Sequence, residues 1–240
     1  MNVFGITRIR NEEQVIKNTL DHVANLVDGV VVYDDCSTDN TVQICQSHSI
    51  VKRIIKGSKW DPTPRGRNKA EGTLRQGAYM AAVALGADWV YCFDADEYAE
   101  FVDIDYCAGT YYFRLFDFYI TEEDKNADYT KRKWMGPEYR DIPMMFKVND
   151  SIYFSQRIPR GMSKPLVFGG YVRHYGKAIS VEAWEEACKY YTEHRWLSIN
   201  PELHKRWEGR KGLAIHSMSD FGRPLITWED RFNEGEIVKI

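Results

Sequence analysis

Apolar and polar positions keep two different rhythms along the first hundred residues. Val3–Thr7 is a short apolar run of the kind a strand shows when both its faces are covered. Asn11 follows as a helix cap, with Glu12 and Glu13 in the first turn, and Ile16, Leu20, Val23 and Val27 then recur at helical spacing. Gly29 breaks that helix, and Val30-Val31-Val32-Tyr33 is a second continuous apolar run. Ser37 or Thr38 can cap a short helix through Cys45, and Ile50–Ile55 reads as a third strand. Gly57, Pro62, Pro64 and Gly66 mark a loop. Leu74, Ala78, Ala81 and Leu85 give the next helix face, and Trp89–Phe93 the next strand. This alternation predicts an α/β fold whose central sheet is mostly parallel and covered by helices on both faces.

The rhythm changes after Glu100. Thr110–Tyr119 is a long aromatic strand, and Thr121–Asp141 reads as a polar, mobile loop. Met144–Val148 and Ile152–Phe154 look like strands of a hairpin around Asn149-Asp150. Ser180 caps a helix with Trp184, Ala187, Cys188 and Tyr191 on one side. No composition break or internal repeat divides residues 1–240, so a single domain with an irregular C-terminal half is expected.

Composition narrows the function classes. With 32 basic and 35 acidic residues the net charge is −3, which offers no bulk attraction to nucleic acid or a membrane surface. The opening segment meets Arg8 too soon for a signal-peptide core, and no apolar run approaches the roughly 20 residues of a transmembrane span. Five scattered cysteines without a C-x-x-C pair fit reduced thiols and a cytoplasmic location. Aromatics make up 14% of the chain, which suits a sugar-binding surface, although cores use the same rings.

Chemistry concentrates at strand ends, where α/β sheets bind their ligands. The first strand ends on Thr7-Arg8 with Arg10-Asn11 beyond it. The second ends on Asp34-Asp35-Cys36-Ser37-Thr38-Asp39, and the strand before residue 100 ends on Asp94-Ala95-Asp96-Glu97. Eight basic residues lie between Lys52 and Arg75, against Asp61 and Glu71. Seven acids and no Lys or Arg lie between Asp88 and Asp105. A hard divalent cation on such carboxylates can bind a diphosphate while basic side chains neutralise the remaining charge. Each group also has a plainer use: Ser37 and Asp39 as helix caps, Arg75 as a surface helical residue, and the charge runs as solvated faces.

These three motifs, in this order and at strand ends, resemble the family 2 glycosyltransferases of GT-A (Rossmann-like) fold, over roughly residues 2–100. Val172-Arg173-His174-Tyr175-Gly176 is similar to a segment where many such enzymes place a metal-binding histidine. The resemblance implies a nucleotide-sugar-binding half over residues 1–100 and an acceptor-binding half over 101–240. Thr7 and Arg10 would line the base pocket, and Asp34 or Asp35, with Asp35 preferred, would accept a hydrogen bond from base or ribose. Arg67 would contact the nucleotide, and Asp94 would bind the ribose or a metal-bound water. Asp96 and His174 would ligate Mn²⁺ or Mg²⁺, with His216 a substitute for His174. The activity implied is metal-dependent transfer from a nucleoside diphosphate sugar, with UDP-sugars preferred, to a carbohydrate or glycoconjugate hydroxyl, with inversion.

An inverting transfer needs a carboxylate to deprotonate the acceptor. Related chains often show His-Glu after the strand pair, where this one reads Ile158-Pro159-Arg160. Asp141 is therefore the first candidate base, with Glu138 and Asp117 as alternatives. The competing classes are a sugar-nucleotide nucleotidyltransferase, a dinucleotide-dependent oxidoreductase and a non-catalytic carbohydrate-binding homologue. The first two call for glycines in the turn after the first strand, and Thr7-Arg8-Ile9-Arg10-Asn11 has none. The third leaves the Asp94/Asp96 pair beside a basic loop unexplained.

Overall fold

The computed structural model describes residues 1–194 and 196–240. Among the described residues ten strands occupy Val3–Ile9 (β1), Gly29–Asp34 (β2), Val51–Lys56 (β3), Trp89–Cys92 (β4), Glu97–Phe101 (β5), Thr110–Phe118 (β6), Trp134–Lys147 (β7), Leu166–His174 (β8), Ile226–Thr227 (β9) and Val238–Lys239 (β10). Seven α-helices among the same residues occupy Ile16–Val23 (α1), Thr41–Ser47 (α2), Pro64–Lys69 (α3), Arg75–Ala84 (α4), Val181–Thr192 (α5), Trp196–Ile199 (α6) and Pro201–Glu208 (α7). They fall into two compact units: Met1–Asp61, Arg65–Phe113 and Ile142–Tyr171 form the first, and Pro62–Pro64, Arg114–Asp141 and Val172–Ile240 the second.

In the first unit the strand order is β3-β2-β1-β4-β7-β6-β8-β5. The first four strands are parallel, with Ile9 opposite Asp34 and Ile6 opposite Cys92, so β1, β2 and β4 send their carboxyl ends to one edge. β7 then runs antiparallel to β4, with Val90 opposite Phe146. Ile6, Val31 and Val90 are fully buried, as the continuous apolar runs predict, and Ala78 and Ala82 of α4 pack on them with Phe146. Small side chains on α4 let the helix lie close to the sheet. Where β8 passes the end of β5, Gly170 has a φ of +139°, and a Cβ there would lie 1.9 Å from the Glu100 carbonyl oxygen. Only glycine fits that approach.

The second unit contains β7 up to Asp141, which pairs with β9 and β10, and the helices α5–α7. Ser180 caps α5 as expected, its Oγ accepting the Ala183 N–H at 3.1 Å. Trp184 and Cys188 form a small core with Ala214, and Trp207 packs against it. Among the described residues no helix is long and apolar enough to cross a membrane.

Several local expectations are corrected. The stretch Thr121–Asp141 is not one loop: Asp124 accepts hydrogen bonds from Thr121 and the Lys133 N–H, and β7 starts at Trp134. Polar residues there bond to one another, so polarity alone misled. Asn11 does not cap α1. It adopts φ +53°, receives no helix amide, and its Oδ1 accepts the Thr38 N–H at 2.8 Å. Asp39, not Ser37 or Thr38, serves the start of α2, accepting the Thr41 N–H at 3.0 Å. The loop after β3 is shorter than expected because α3 begins at Pro64, a residue suited to a helix's first turn. The second hairpin strand is only a single bridge between Tyr153 and Arg160.

Candidate functional site

The edge where β1, β2 and β4 end carries the groups that the sequence singled out. Thr7 is buried in β1, and its Oγ1 has no hydrogen-bond partner among the described residues. Beyond it, Arg8 pairs with the Asp35 carboxylate at 2.7 Å. Arg10 donates to the Asp35 carbonyl at 2.9 Å and to that of Cys36, while its guanidinium lies 3.6 Å from the centre of the Trp60 ring. Asp34 is buried and accepts the Ser37 N–H at 3.1 Å, which closes the turn after β2. Thr7, Arg10, Asp34 and Asp35 thus share one corner of the first unit.

The next strand end is more heavily charged. Arg75, expected on the surface, is 2% exposed and points at the end of β4. It donates to Glu71 at 2.9 Å and to Asp94 Oδ1 at 2.5 Å. Arg157 takes the other Asp94 oxygen at 2.8 Å and both oxygens of Glu97 at 2.5 and 2.6 Å. Glu97 is 0% exposed, and its Oε2 also accepts the Asp94 N–H at 2.9 Å. Burial works against both guanidinium charges. Asp94 foremost, with Cys92 and Glu71 around Arg75 and Glu97 around Arg157, holds both arginines protonated and above their usual pKa.

Glu71, Asp94 and Arg157 of this network line a cavity of about 660 Å³ together with Arg67, Asn68, Ile142, Ser155, Gln156 and Ile158. Arg67, singled out for nucleotide contact, therefore shares a cavity with Asp94. Asp96 is half-buried, and a carboxylate oxygen of Asp96 and one of Glu97 lie within 4.8 Å of each other. Two hard oxygen donors at that separation fit a divalent cation such as Mg²⁺ or Mn²⁺.

Glu12 adds to this acidic corner. Burial first, then the charges of Asp96 and Asp94, push its carboxyl well above the ordinary range. A raised folded value means stability that is complete below the unfolded pKa of about 4.3 and is lost as pH rises through the folded value. Glu12→Gln cannot ionise. Its melting temperature relative to wild type should therefore climb as pH increases from about 4.3. Parallel melting curves for the two proteins across that range would contradict the assignment.

The remaining candidates lie in the second unit. Asp117 accepts from Arg140 at 2.7 Å and Lys177 at 2.8 Å, and its Oδ1 lies 2.6 Å from His174 Nδ1. Burial opposes its charge, but Lys177, His174 and Arg140 hold the carboxyl well below the usual range. A carboxylate on one ring nitrogen is how metal-ligating histidines are oriented, and His174 has that arrangement. His216 differs: burial lowers its pKa, and its Nδ1 faces the Ala214 carbonyl at 2.9 Å. Glu138 accepts from Ser219 at 2.9 Å, while its Oε2 is enclosed without a hydrogen bond from any described residue. Asp141 accepts from Lys239 at 2.7 Å, and its Oδ1 lies 3.6 Å from the Arg114 guanidinium.

Sequence reasoning missed Arg157 and Trp60 and undervalued Arg75. Trp60 had a signal, as an aromatic within the basic run. Arg75 stands one position after Leu74 of the helix stripe, where a partner 19 residues away is invisible. Arg157 lies in an irregular segment with no periodicity to place it.

The family model for glycosyl transferase family 2 matches residues 6–157. The chain belongs to glycosyl transferase family 2. The chain is 33% identical over 106 residues to the uncharacterized protein Rv3786c of Mycobacterium tuberculosis. That match takes in 44% of this chain and 25% of the relative, so the chain spans about a quarter of the curated relatives' length. Among solved structures it is similar to residues 1–349 of TarS from S. aureus, at 16% identity and a TM-score of 0.42, covering 88% of this chain and 73% of that one. It is also similar to glucosyl-3-phosphoglycerate synthase from Mycobacterium tuberculosis in complex with Mg²⁺ and UDP, at 22% identity and a TM-score of 0.29. There the coverage is 40% of this chain and 34% of that one.

Proposed function

We propose that this chain transfers a sugar from a nucleoside diphosphate sugar, with UDP-sugars the preferred donors, to a hydroxyl of a carbohydrate or glycoconjugate. The observation that carries this proposal is the cavity that places Arg67 and Asp94 on one wall at the carboxyl edge of the parallel strands, in a family 2 chain. The nucleoside would occupy the corner of Thr7, Arg10, Asp34 and Asp35, where the buried Thr7 hydroxyl still has hydrogen-bonding capacity. Arg67 would attract the diphosphate into the cavity. Asp96 and Glu97 would hold Mn²⁺ or Mg²⁺, which when bound offsets charge developing on the leaving diphosphate.

In an inverting transfer the anomeric carbon–phosphate oxygen bond breaks as the acceptor oxygen bonds to the opposite face, and the acceptor proton passes to a carboxylate. Asp117 suits that role least, because Lys177, His174 and Arg140 hold its carboxyl well below the usual range and leave it a weak base. Of the other two, Asp141 is 15% exposed at its side chain and Glu138 4%, so an acceptor hydroxyl reaches Asp141 more readily. Asp141 is accordingly the proposed base. A panel of nucleotide sugars screened for Mn²⁺-dependent hydrolysis tests the activity, because slow donor hydrolysis needs no known acceptor. Hydrolysis of one donor class is expected. Asp141→Asn should bind that donor as wild type does and lose transfer to an acceptor. A panel with no donor hydrolysed, or full transfer by Asp141→Asn, would contradict the respective assignment.

A further inference from the structure

Glu97, one of the two carboxylates proposed to hold a divalent cation, already has a cationic partner in Arg157. Arg157 contributes three short contacts, one to Asp94 and two to Glu97, and these cover one oxygen of Asp94 and both of Glu97. The second Asp94 oxygen is held by Arg75. Arg75 is deeply enclosed and tied to Glu71 as well, whereas the Arg157 side chain is 24% exposed and lines the cavity. The two arginines therefore differ in how easily they can leave.

The backbone around Arg157 is pinned. The Phe154 N–H donates to Gln76 at 2.8 Å, and Tyr153 and Arg160 exchange backbone hydrogen bonds at 3.1 and 2.9 Å. What can move is the long side chain, whose rotatable bonds can carry its guanidinium from the carboxylates into the cavity. A cation approaching Glu97 meets a fixed positive charge on the same oxygens, and like charges at that range repel strongly even at an effective dielectric of about 20.

We infer that Arg157 is a built-in competitor of the divalent cation: it neutralises Asp94 and Glu97 in the cation-free protein and must release Glu97 for the cation to bind. This rests on the proposed metal site at Asp96 and Glu97. Arg157 is thus a positioning residue that sets cation affinity, and its effect requires neither donor nor turnover.

The test is titration of Mn²⁺ alone into the nucleotide-free protein, followed by electron paramagnetic resonance of the free ion. Arg157→Gln removes the charge and should tighten Mn²⁺ binding by about tenfold or more. Arg157→Lys keeps a charge but cannot span three oxygens, so a smaller tightening is expected. Circular dichroism reports whether each variant is folded, and if Arg157→Gln is not, Arg157→Lys carries the test. Unchanged or weaker Mn²⁺ binding by a folded variant overturns the inference, since a merely structural arginine would give that result. Tightened Mn²⁺ binding in a protein that ignores every nucleotide sugar would uphold Arg157 as the competitor and overturn the proposed transferase activity instead.

Discussion

Asp96→Ala is expected to lower donor turnover by about a thousandfold while the protein stays folded. The carboxylate is half-buried, in the turn between β4 and β5, and contributes little to the core. Its proposed work is electrostatic. The proposed transfer breaks a bond to a diphosphate that gains charge as it leaves, and a cation held by Asp96 and Glu97 would offset that charge. The same substitution should abolish the enhancement of nucleotide binding by Mn²⁺. Steady-state hydrolysis of the donor found by the panel measures the first effect, and retained full activity would remove Asp96 from the site.

The second large effect is on stability. Arg75→Leu should cost about 3–5 kcal/mol, because it removes the buried cation of the network and leaves Glu71 and one oxygen of Asp94 without that partner. For a chain of this size that is on the order of 10 °C in the melting midpoint. Arg75→Lys should lose less, since it keeps the charge and sacrifices only the forked contact. Thermal denaturation of the three proteins decides the matter. A leucine variant within about 1 kcal/mol of wild type would mean that the network is not coupled to folding.

Much of the site was legible because its residues stand at the ends of apolar runs. The runs at Val3–Thr7, Val30–Tyr33 and Trp89–Phe93 announce buried strands, and parallel pairing brings Thr7, Asp34 and Asp94 to one edge. Chain order alone therefore collects them. Asn11 and Asp39 show the limit of local signals: both are good capping residues, but only Asp39 accepts an amide at a helix start, that of Thr41, because Asn11 is committed to the turn after β2. The charge network was beyond reach. Arg75 looked like any cation on an amphipathic helix, and its burial depends on carboxylates supplied by a strand end far along the chain. Arg157 belongs to a segment held by side-chain and single-bridge contacts, which leave no periodic trace. The aromatic excess likewise resolved only in three dimensions. A strand of period two should send half its rings outward, yet Tyr111, Phe113, Phe116 and Phe118 of β6 are all buried, and so is Tyr119 just after it. Most of that composition signal is core packing, and Tyr112 is the ring of this group left partly exposed.

The corner beyond β1, β2 and β4 is proposed to bind a nucleoside diphosphate together with a divalent cation. Calorimetric titration of UDP into the wild-type protein, with and without Mn²⁺, tests it most directly. Binding at least about tenfold tighter with Mn²⁺ is expected, with that gain absent in Asp96→Ala. No UDP binding, or the same affinity with and without the cation, would contradict it.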